Sequence, residues 1–287
     1  MANAALRIPE NVPGDFFVDS TCIDCDACRQ IAPSVFSDIG NQSAVHHQPE
    51  SDDELLAAQK ALIACPTASI GSATKHEMSR ALAAYPELIA DDVYRCGYTS
   101  ESSFGAFSYL IRHHGGNILV DSPRFTGPLV KRIAAMGGVR RMLLTHQDDI
   151  ADHEKFHERF GSERVIHRDD ARTRKIELKP EGSDPIALES DLLMIPTPGH
   201  TKGHSVFLYR EKFLFTGDHL AWDPDDERLI AFRSVCWYSW SEQIESMKRL
   251  LDYRFEWVLP GHGRPIQLPA ERMHRELERC VAWMKTR

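Results

Sequence analysis

Nowhere in the 287 residues does an apolar run approach the roughly 18 residues that a membrane-spanning helix needs. No membrane partner is expected. The opening stretch, Met1 to Gly14, carries Arg7 but has neither an apolar centre nor a small-residue cleavage site. No secretory leader is therefore expected, and a cytoplasmic location is the default expectation. Positive charge is not in excess: 34 Lys and Arg stand against 42 Asp and Glu, a formal net charge of −8, which argues against a nucleic-acid partner. Low-complexity tracts and internal repeats are missing as well. Cysteine is scarce and odd in number, at seven. Without a leader, that count argues against a disulfide scaffold.

What is present divides unevenly. Hydrophobic residues make up 42% of the chain, enough for a packed core. Residues 1–72 hold ten acids against Arg7, Arg29 and Lys60, so they carry −7 of the −8. This asymmetry suits two domains with different partners. The acidic part is either a solubilising surface or a face on which a redox partner docks.

Hydrophobic spacing predicts a strand at Phe16–Val18 and a helix over 52–64, with Ser51 as N-cap and Glu54 closing a capping box. A polar, small-residue linker is expected over 73–90. From 91 onward, strands are expected at 106–111, 117–120, 141–144, 192–195, 205–209, 213–215 and 257–259. Helices are expected at 126–136, 151–160, 241–251 and 270–285. Ser239 and Glu242 form a further capping-box pattern, and Lys212 sits in a tight turn between two strands. Many strands follow one another directly. That favours an α+β chain with two sheets and outer helices over a doubly wound parallel sheet.

Four cysteines form a pattern. Cys22, Cys25 and Cys28 are spaced C-x₂-C-x₂-C, and Cys65-Pro66 follows after the predicted helix. Thiolates on a tight loop can grip three corners of an iron–sulfur cubane, and Cys65 is suited to the fourth. Zinc sites favour paired C-x₂₋₄-C units, often with histidine, which is a different arrangement. Where two-cluster ferredoxins carry another Cys-Pro, this chain has Ala32-Pro33, so one cluster is expected. Over 15–72 the chain resembles single-cluster bacterial-type ferredoxins, and the resemblance implies a [4Fe-4S] cluster on Cys22, Cys25, Cys28 and Cys65. Cys96, Cys236 and Cys280 are read as ordinary thiols.

A second constellation lies in four segments: 145–153 (THQDDIADH), 197–204 (TPGHTKGH), 216–219 (TGDH) and 259–263 (LPGHG). Each sits at or just beyond the end of a predicted strand, where loops converge and imidazoles and carboxylates can hold Zn, Fe or Mn. Together, over 91–287, these segments resemble the metallo-β-lactamase superfamily. The resemblance implies an αββα sandwich with a dinuclear site. In it, His146 and His200 would hold one metal, Asp152, His153 and His262 the other, and Asp218 would bridge them. Asp152 and Asp218 are the expected catalytic carboxylates. Two metals can polarise a carbonyl or phosphoryl oxygen, which suits hydrolysis of an ester, thioester or similar small molecule. The family's H-x-H-x-D-H motif is altered here to H-x-D-D-x-x-D-H. Asp148 stands at the second histidine, and either it or Asp149 could serve as the oxygen ligand. Carboxylate substitution favours harder metals such as Fe or Mn.

Two expectations follow. The first is a metallohydrolase with an electron-transfer domain attached. The second is a di-iron oxidoreductase fed by that domain, because flavodiiron proteins on this fold carry a carboxylate at the same position. No flavin domain is seen, and no further substrate domain is expected in the 25 residues after His262. His153 and His157 also fit an H-E-x-x-H pattern, but His153 belongs to the richer constellation. His204 and His219 flank expected ligands, Asp121 ends a strand, and Trp237, Tyr238 and Trp240 are either pocket lining or packing.

Overall fold

The computed structural model describes residues 2–287, and the chain divides into two compact units. The first comprises Met1–Arg140 with Ala151–Gly161. It opens with strand β1 (Phe16–Val18), helix α1 (Ala27–Ile31), strands β2 (Phe36–Asp38) and β3 (Ser43–Val45), helix α2 (Asp52–Ala64) and strand β4 (Ile70–Ser72). Strands β1 and β4 pair antiparallel, as do β2 and β3. Helix α2 forms over the expected residues. Ser51 accepts from the Glu54 N–H, and the Glu54 carboxylate accepts from the Ser51 N–H, so the capping box is complete.

The stretch expected as a linker carries structure: helix α3 (Ser79–Ala84) and strand β5 (Glu87–Ala90). Strand β5 pairs with β6 (Val93–Arg95), β6 with β7 (Tyr109–Ile111) and β7 with β8 (Ile118–Val120), all antiparallel. Strand β5 is short and half-exposed, with Leu88 facing solvent, so it lacks the apolar alternation that marks a buried strand. Helices α4 (Gly127–Ala135) and α5 (His153–Phe160) complete this unit.

The second unit comprises Arg141–Ile150 with Ser162–Arg287. Strands β9 (Arg141–Leu143) and β10 (Glu163–Val165) pair parallel, and the short helix α6 (Arg168–Ala171) follows. A six-stranded sheet runs in the order β11 (Ile186–Glu189), β12 (Leu192–Pro196), β13 (Ser205–Tyr209), β14 (Phe213–Gly217), β17 (Trp257–Pro260), β18 (Ile266–Gln267). Between β14 and β17 come the hairpin β15 (Ala221–Asp223) and β16 (Arg228–Ile230), then helix α7 (Trp240–Arg249); helix α8 (Ala270–Met284) ends the chain. Every residue of β13 and β14 is buried, so neither strand shows the alternation of a half-exposed sheet. Ile195, Leu214 and Val258 of the sheet pack with Met247 of α7 and with Met273, Leu277 and Cys280 of α8 in one apolar core.

Strand β14 runs parallel to β17, with Phe215 opposite Leu259 and Gly217 opposite Pro260. Their C-terminal ends therefore lie side by side. Gly261 N–H then donates to Gly217 O at 2.9 Å, fastening the two loops that follow. This pairing brings Asp218 and His262 to one place despite their separation in sequence.

Candidate metal centres

The cysteine site is built from a loop and a helix end. Asp24 (φ +59°) and Asp26 (φ +64°) take left-handed backbone conformations between the cysteines, which Asp tolerates better than most residues. Arg29 holds this turn closed. Its Nη1 lies 2.7 Å from Asp24 Oδ1 and its Nε 2.7 Å from Asp26 Oδ1, with the side chain largely buried. Sequence reading passed over Arg29, although a base beside two acids in a ligand loop was the available signal. Cys65 follows directly on α2 and receives a hydrogen bond from the Ser69 N–H on its sulfur at 3.2 Å.

All four cysteines line one pocket together with Val18, Ala27 and Ile70. None is in a disulfide. Burial pushes the Cys25 thiol up to about 12 and the Cys28 thiol higher still. Thiols so disfavoured as anions are poor free nucleophiles, and a cationic iron centre reverses that preference. The donor set fits an iron–sulfur cluster. Cys96 and Cys280 are buried elsewhere, and Cys236 Sγ donates to Gly199 O at 3.2 Å.

The second site centres on Asp218, which follows β14. His146 Nε2 lies 3.8 Å from Asp218 Oδ2, His200 Nε2 3.7 Å and His262 Nε2 3.9 Å. Asp148 Oδ2 lies 4.0 Å from His146 Nε2 and 3.7 Å from His200 Nε2. Ligand atoms of His146, Asp148 and His200 fall within 4.8 Å of one another, and so do those of His146, Asp149 and Asp218. Both carboxylates that sequence reading left open thus reach His146. The Nε2 atoms of His146 and His200 are buried without a hydrogen-bond partner, as is Asp218 Oδ1. Orphaned donors and acceptors at such depth are costly unless a ligand takes them up. A divalent cation suits three imidazoles and two or three carboxylates.

The electrostatics agree. Burial lowers the His146 pKa to about 4, so the imidazole is neutral and ready to ligate at pH 7. Burial pushes the Asp218 carboxyl up, but the neighbouring His262, His146 and His200 outweigh it and leave the net shift downward. Contact with the His200 imidazole lowers Asp148.

Supports behind the ligands fix their orientation. Thr145 Oγ1 lies 2.9 Å from His146 Nδ1. Buried Asp170 accepts from Gln147 N–H at 3.1 Å, from Gly203 N–H at 2.7 Å and from the Thr201 hydroxyl, tying the His146 and His200 loops together. A side chain at Gly203 would meet Asp170 N at 2.5 Å, so only glycine fits there. Asp170 was not singled out from the sequence; it lies apart from every motif. His204 and His219 are both fully buried and stack at 4.8 Å, with Thr197 Oγ1 3.0 Å from His204 Nδ1. Trp237 and Tyr238 are exposed, and their N–H groups donate to His200 O at 2.9 and 3.1 Å. Trp240 packs instead, with Nε1 donating to Met284 O at 3.2 Å. Buried Asp121 follows β8 in the first unit.

Asp152 and His153 also belong to the first unit. Asp152 immediately precedes α5; its Oδ2 accepts from Phe125 N–H at 2.7 Å and its Oδ1 from Lys155 Nζ at 2.7 Å. His153 is buried at the start of α5, and His157 on the same helix is half-buried.

Comparison with known proteins separates the same two parts. A family model described as the 4Fe-4S single cluster domain of Ferredoxin I matches residues 18–72. The Drosophila melanogaster Beta-lactamase-like protein 2 homolog is 30% identical over 80 residues, 28% of this chain; the match spans only 24% of that protein. Among solved structures, the DIM-1 metallo-β-lactamase exposed to ceftazidime is 18% identical, with a TM-score of 0.55 over 70% of this chain and 95% of its own. The metallo-β-lactamase from Pontibacter korlensis is 17% identical, with a TM-score of 0.53 over 70% of this chain and 98% of its own. At such identities the likeness speaks for fold. The chain therefore joins a single-cluster 4Fe-4S domain of ferredoxin type to a mixed helix-and-sheet fold of the metallo-β-lactamase kind.

Proposed function

We propose that this protein is a metal-dependent hydrolase acting on a small ester- or thioester-type substrate, with the 4Fe-4S domain as an attached electron-transfer module. The observation that carries the reading is the convergence of three imidazole Nε2 atoms within 3.7–3.9 Å of one carboxylate oxygen, Asp218 Oδ2. His146, Asp148, His200, Asp218 and His262 would hold one or two divalent ions, and Asp152 and His153 of the first unit are proposed as metal ligands on the resemblance alone. Such ions supply Lewis acidity toward a carbonyl or phosphoryl oxygen. The chain's own part is to keep the His146 imidazole neutral by burial, to keep Asp218 ionised, and to lock both loops through Asp170. Exposed Trp237 beside His200, with ring centroids 6.4 Å apart, offers an apolar surface at the rim of the site. The division into 1–72, a connecting 73–90 and 91–287 belongs to the same reading.

A second reading is favoured by one observation, the approach of the Asp148 carboxylate to both His146 and His200. A carboxylate there suits iron, and the protein would then be a di-iron oxidoreductase fed by its own cluster domain. Assay of the purified protein against a panel of esters and thioesters, and against oxygen, nitric oxide and peroxide, separates the two. Hydrolysis that survives Asp148→His supports the first. Iron-dependent reduction that Asp148→His abolishes, with no hydrolysis, overturns it in favour of the second.

A further inference from the structure

Two consecutive residues join the cysteine site to Asp152, and every atom of the link lies in the first unit. Helix α2 ends at Ala64, directly before Cys65, and the carbonyls of its last two residues have no partner inside the helix. Residues distant in sequence take them up. Ile63 O accepts from Arg124 Nη2 at 2.9 Å. Ala64 O accepts from the Thr99 N–H at 3.1 Å and the Thr99 hydroxyl at 2.7 Å. The Arg124 N–H donates to Tyr98 O at 2.8 Å, which fixes this arginine to the same wall. The next residue, Phe125, donates its N–H to Asp152 Oδ2 at 2.7 Å, and its ring meets Phe156 of α5 edge-on at 5.0 Å.

The wall also touches a second cysteine. A Cβ on Gly105 would come within 2.6 Å of Cys25 Cβ and 2.8 Å of its sulfur. The backbone at Gly105 has φ +86°, so glycine is required there for conformation and for space. The other hold on Asp152 is weak: Lys155, which bonds its Oδ1, is 60% exposed. The Phe125 amide, a charge-assisted donor on a packed backbone, is the contact that sets the carboxylate's direction.

We propose that Arg124 is a positioning residue that couples the cysteine site to Asp152. With the cluster assembled, Cys65 fixes the end of α2, Arg124 holds Phe125 to that end, and the Phe125 N–H holds Asp152 in the orientation that ligates metal. This inference rests on the reading of Asp152 as a ligand and deepens it by giving the cluster domain a mechanical role. The coupling requires no electron transfer. By linkage, metal on Asp152 should favour retention of the cluster to the same degree.

The test is Mn(II) titration of the full-length protein, following the electron paramagnetic resonance signal of free Mn(II). Manganese favours carboxylate and imidazole over thiolate, which keeps it off the cysteines. The Arg124→Ala protein should bind Mn(II) roughly fivefold to tenfold more weakly, with the visible absorption of its cluster unchanged. Arg124→Lys, still able to donate to Ile63 O, should recover most of the loss. Cys65→Ala, or removal of the cluster from the unmutated protein with a chelator, should weaken binding by a similar factor. Arg124→Ala combined with Cys65→Ala should then bind no more weakly than either single variant. Unchanged affinity in Arg124→Ala, or losses that simply multiply in the double variant, would overturn the coupling. Asp152→Asn separates the levels. If it leaves Mn(II) affinity unchanged, the reading of Asp152 as a ligand fails and takes the coupling with it. If it weakens Mn(II) while Arg124→Ala does not, the coupling alone fails.

Discussion

The two sites of this chain solve the same problem at different ranges. The cysteine site is local: its ligands lie between Cys22 and Cys65, three on one loop and the fourth at the end of the next long helix. The histidine and aspartate site is assembled from afar. His146, His200, Asp218 and His262 each stand beyond a different strand, and β14 and β17, which run parallel and end together, bring the last two side by side. A local site is encoded in spacing. A distant one is encoded in topology, and its supports need carry no motif at all.

The sharpest way to break this comparison is to remove one site and watch the other. Replacing Asp218 with Asn takes the shared carboxylate from three histidines, so metal uptake and hydrolysis should fall by at least about 100-fold. The cluster should still assemble, because all four of its cysteines are intact, while the coupling proposed through Arg124 should loosen its retention by no more than roughly tenfold. Failure of the cluster to assemble at all in this variant would show that the two sites do not form independently.

The pH response should distinguish the sites in opposite directions in protein stripped of all metal. The His146 pKa falls from its ordinary 6.5 to about 4 through burial, so the unfolded chain binds the extra proton first on acidification. Stability from this group is present above pH 6.5 and is lost as the pH falls toward 4, an effect on the order of a few kcal/mol. Cys25 behaves in reverse. Its thiol is pushed from 9.0 up to about 12, so stability is present below pH 9 and is lost as the pH rises toward 12. Urea denaturation across pH 4–11 checks both, and a flat acid limb would contradict the burial argument for His146.

Smaller effects probe the supports. Asp170→Ala unties the His146 loop from the His200 loop and should weaken metal binding about tenfold without touching the cluster. Equilibrium dialysis of zinc measures this. Smaller still, Ser51→Ala breaks the capping box of α2 and should lower stability by about 1 kcal/mol in a urea melt.

Much of this was readable in the sequence. The C-x₂-C-x₂-C loop and Cys65-Pro66 announced the cluster site, because thiolate chemistry and tight spacing leave few alternatives. Helix α2 formed over 52–64 with its predicted cap, since capping is decided by neighbours three residues apart. The ordered histidine motifs pointed to the second site, and His146, His200, Asp218 and His262 do converge. Other features were not legible. Strand β5 lay hidden in a stretch that reads as linker, because a short edge strand with an exposed face lacks the apolar alternation that marks buried ones. Asp170 was invisible because its value lies in bonds to Gln147, Thr201 and Gly203, contacts that only the folded chain creates. The Arg124–Phe125 link escaped notice for the same reason.

The most direct test of two chemically different metal sites, one of them hydrolytic, is metal content per chain after anaerobic purification. The account predicts about four irons with one or two zincs. About six irons without zinc would contradict the hydrolase reading and favour a di-iron centre, and zinc without a complement of about four irons would contradict the cluster assigned to Cys22, Cys25, Cys28 and Cys65.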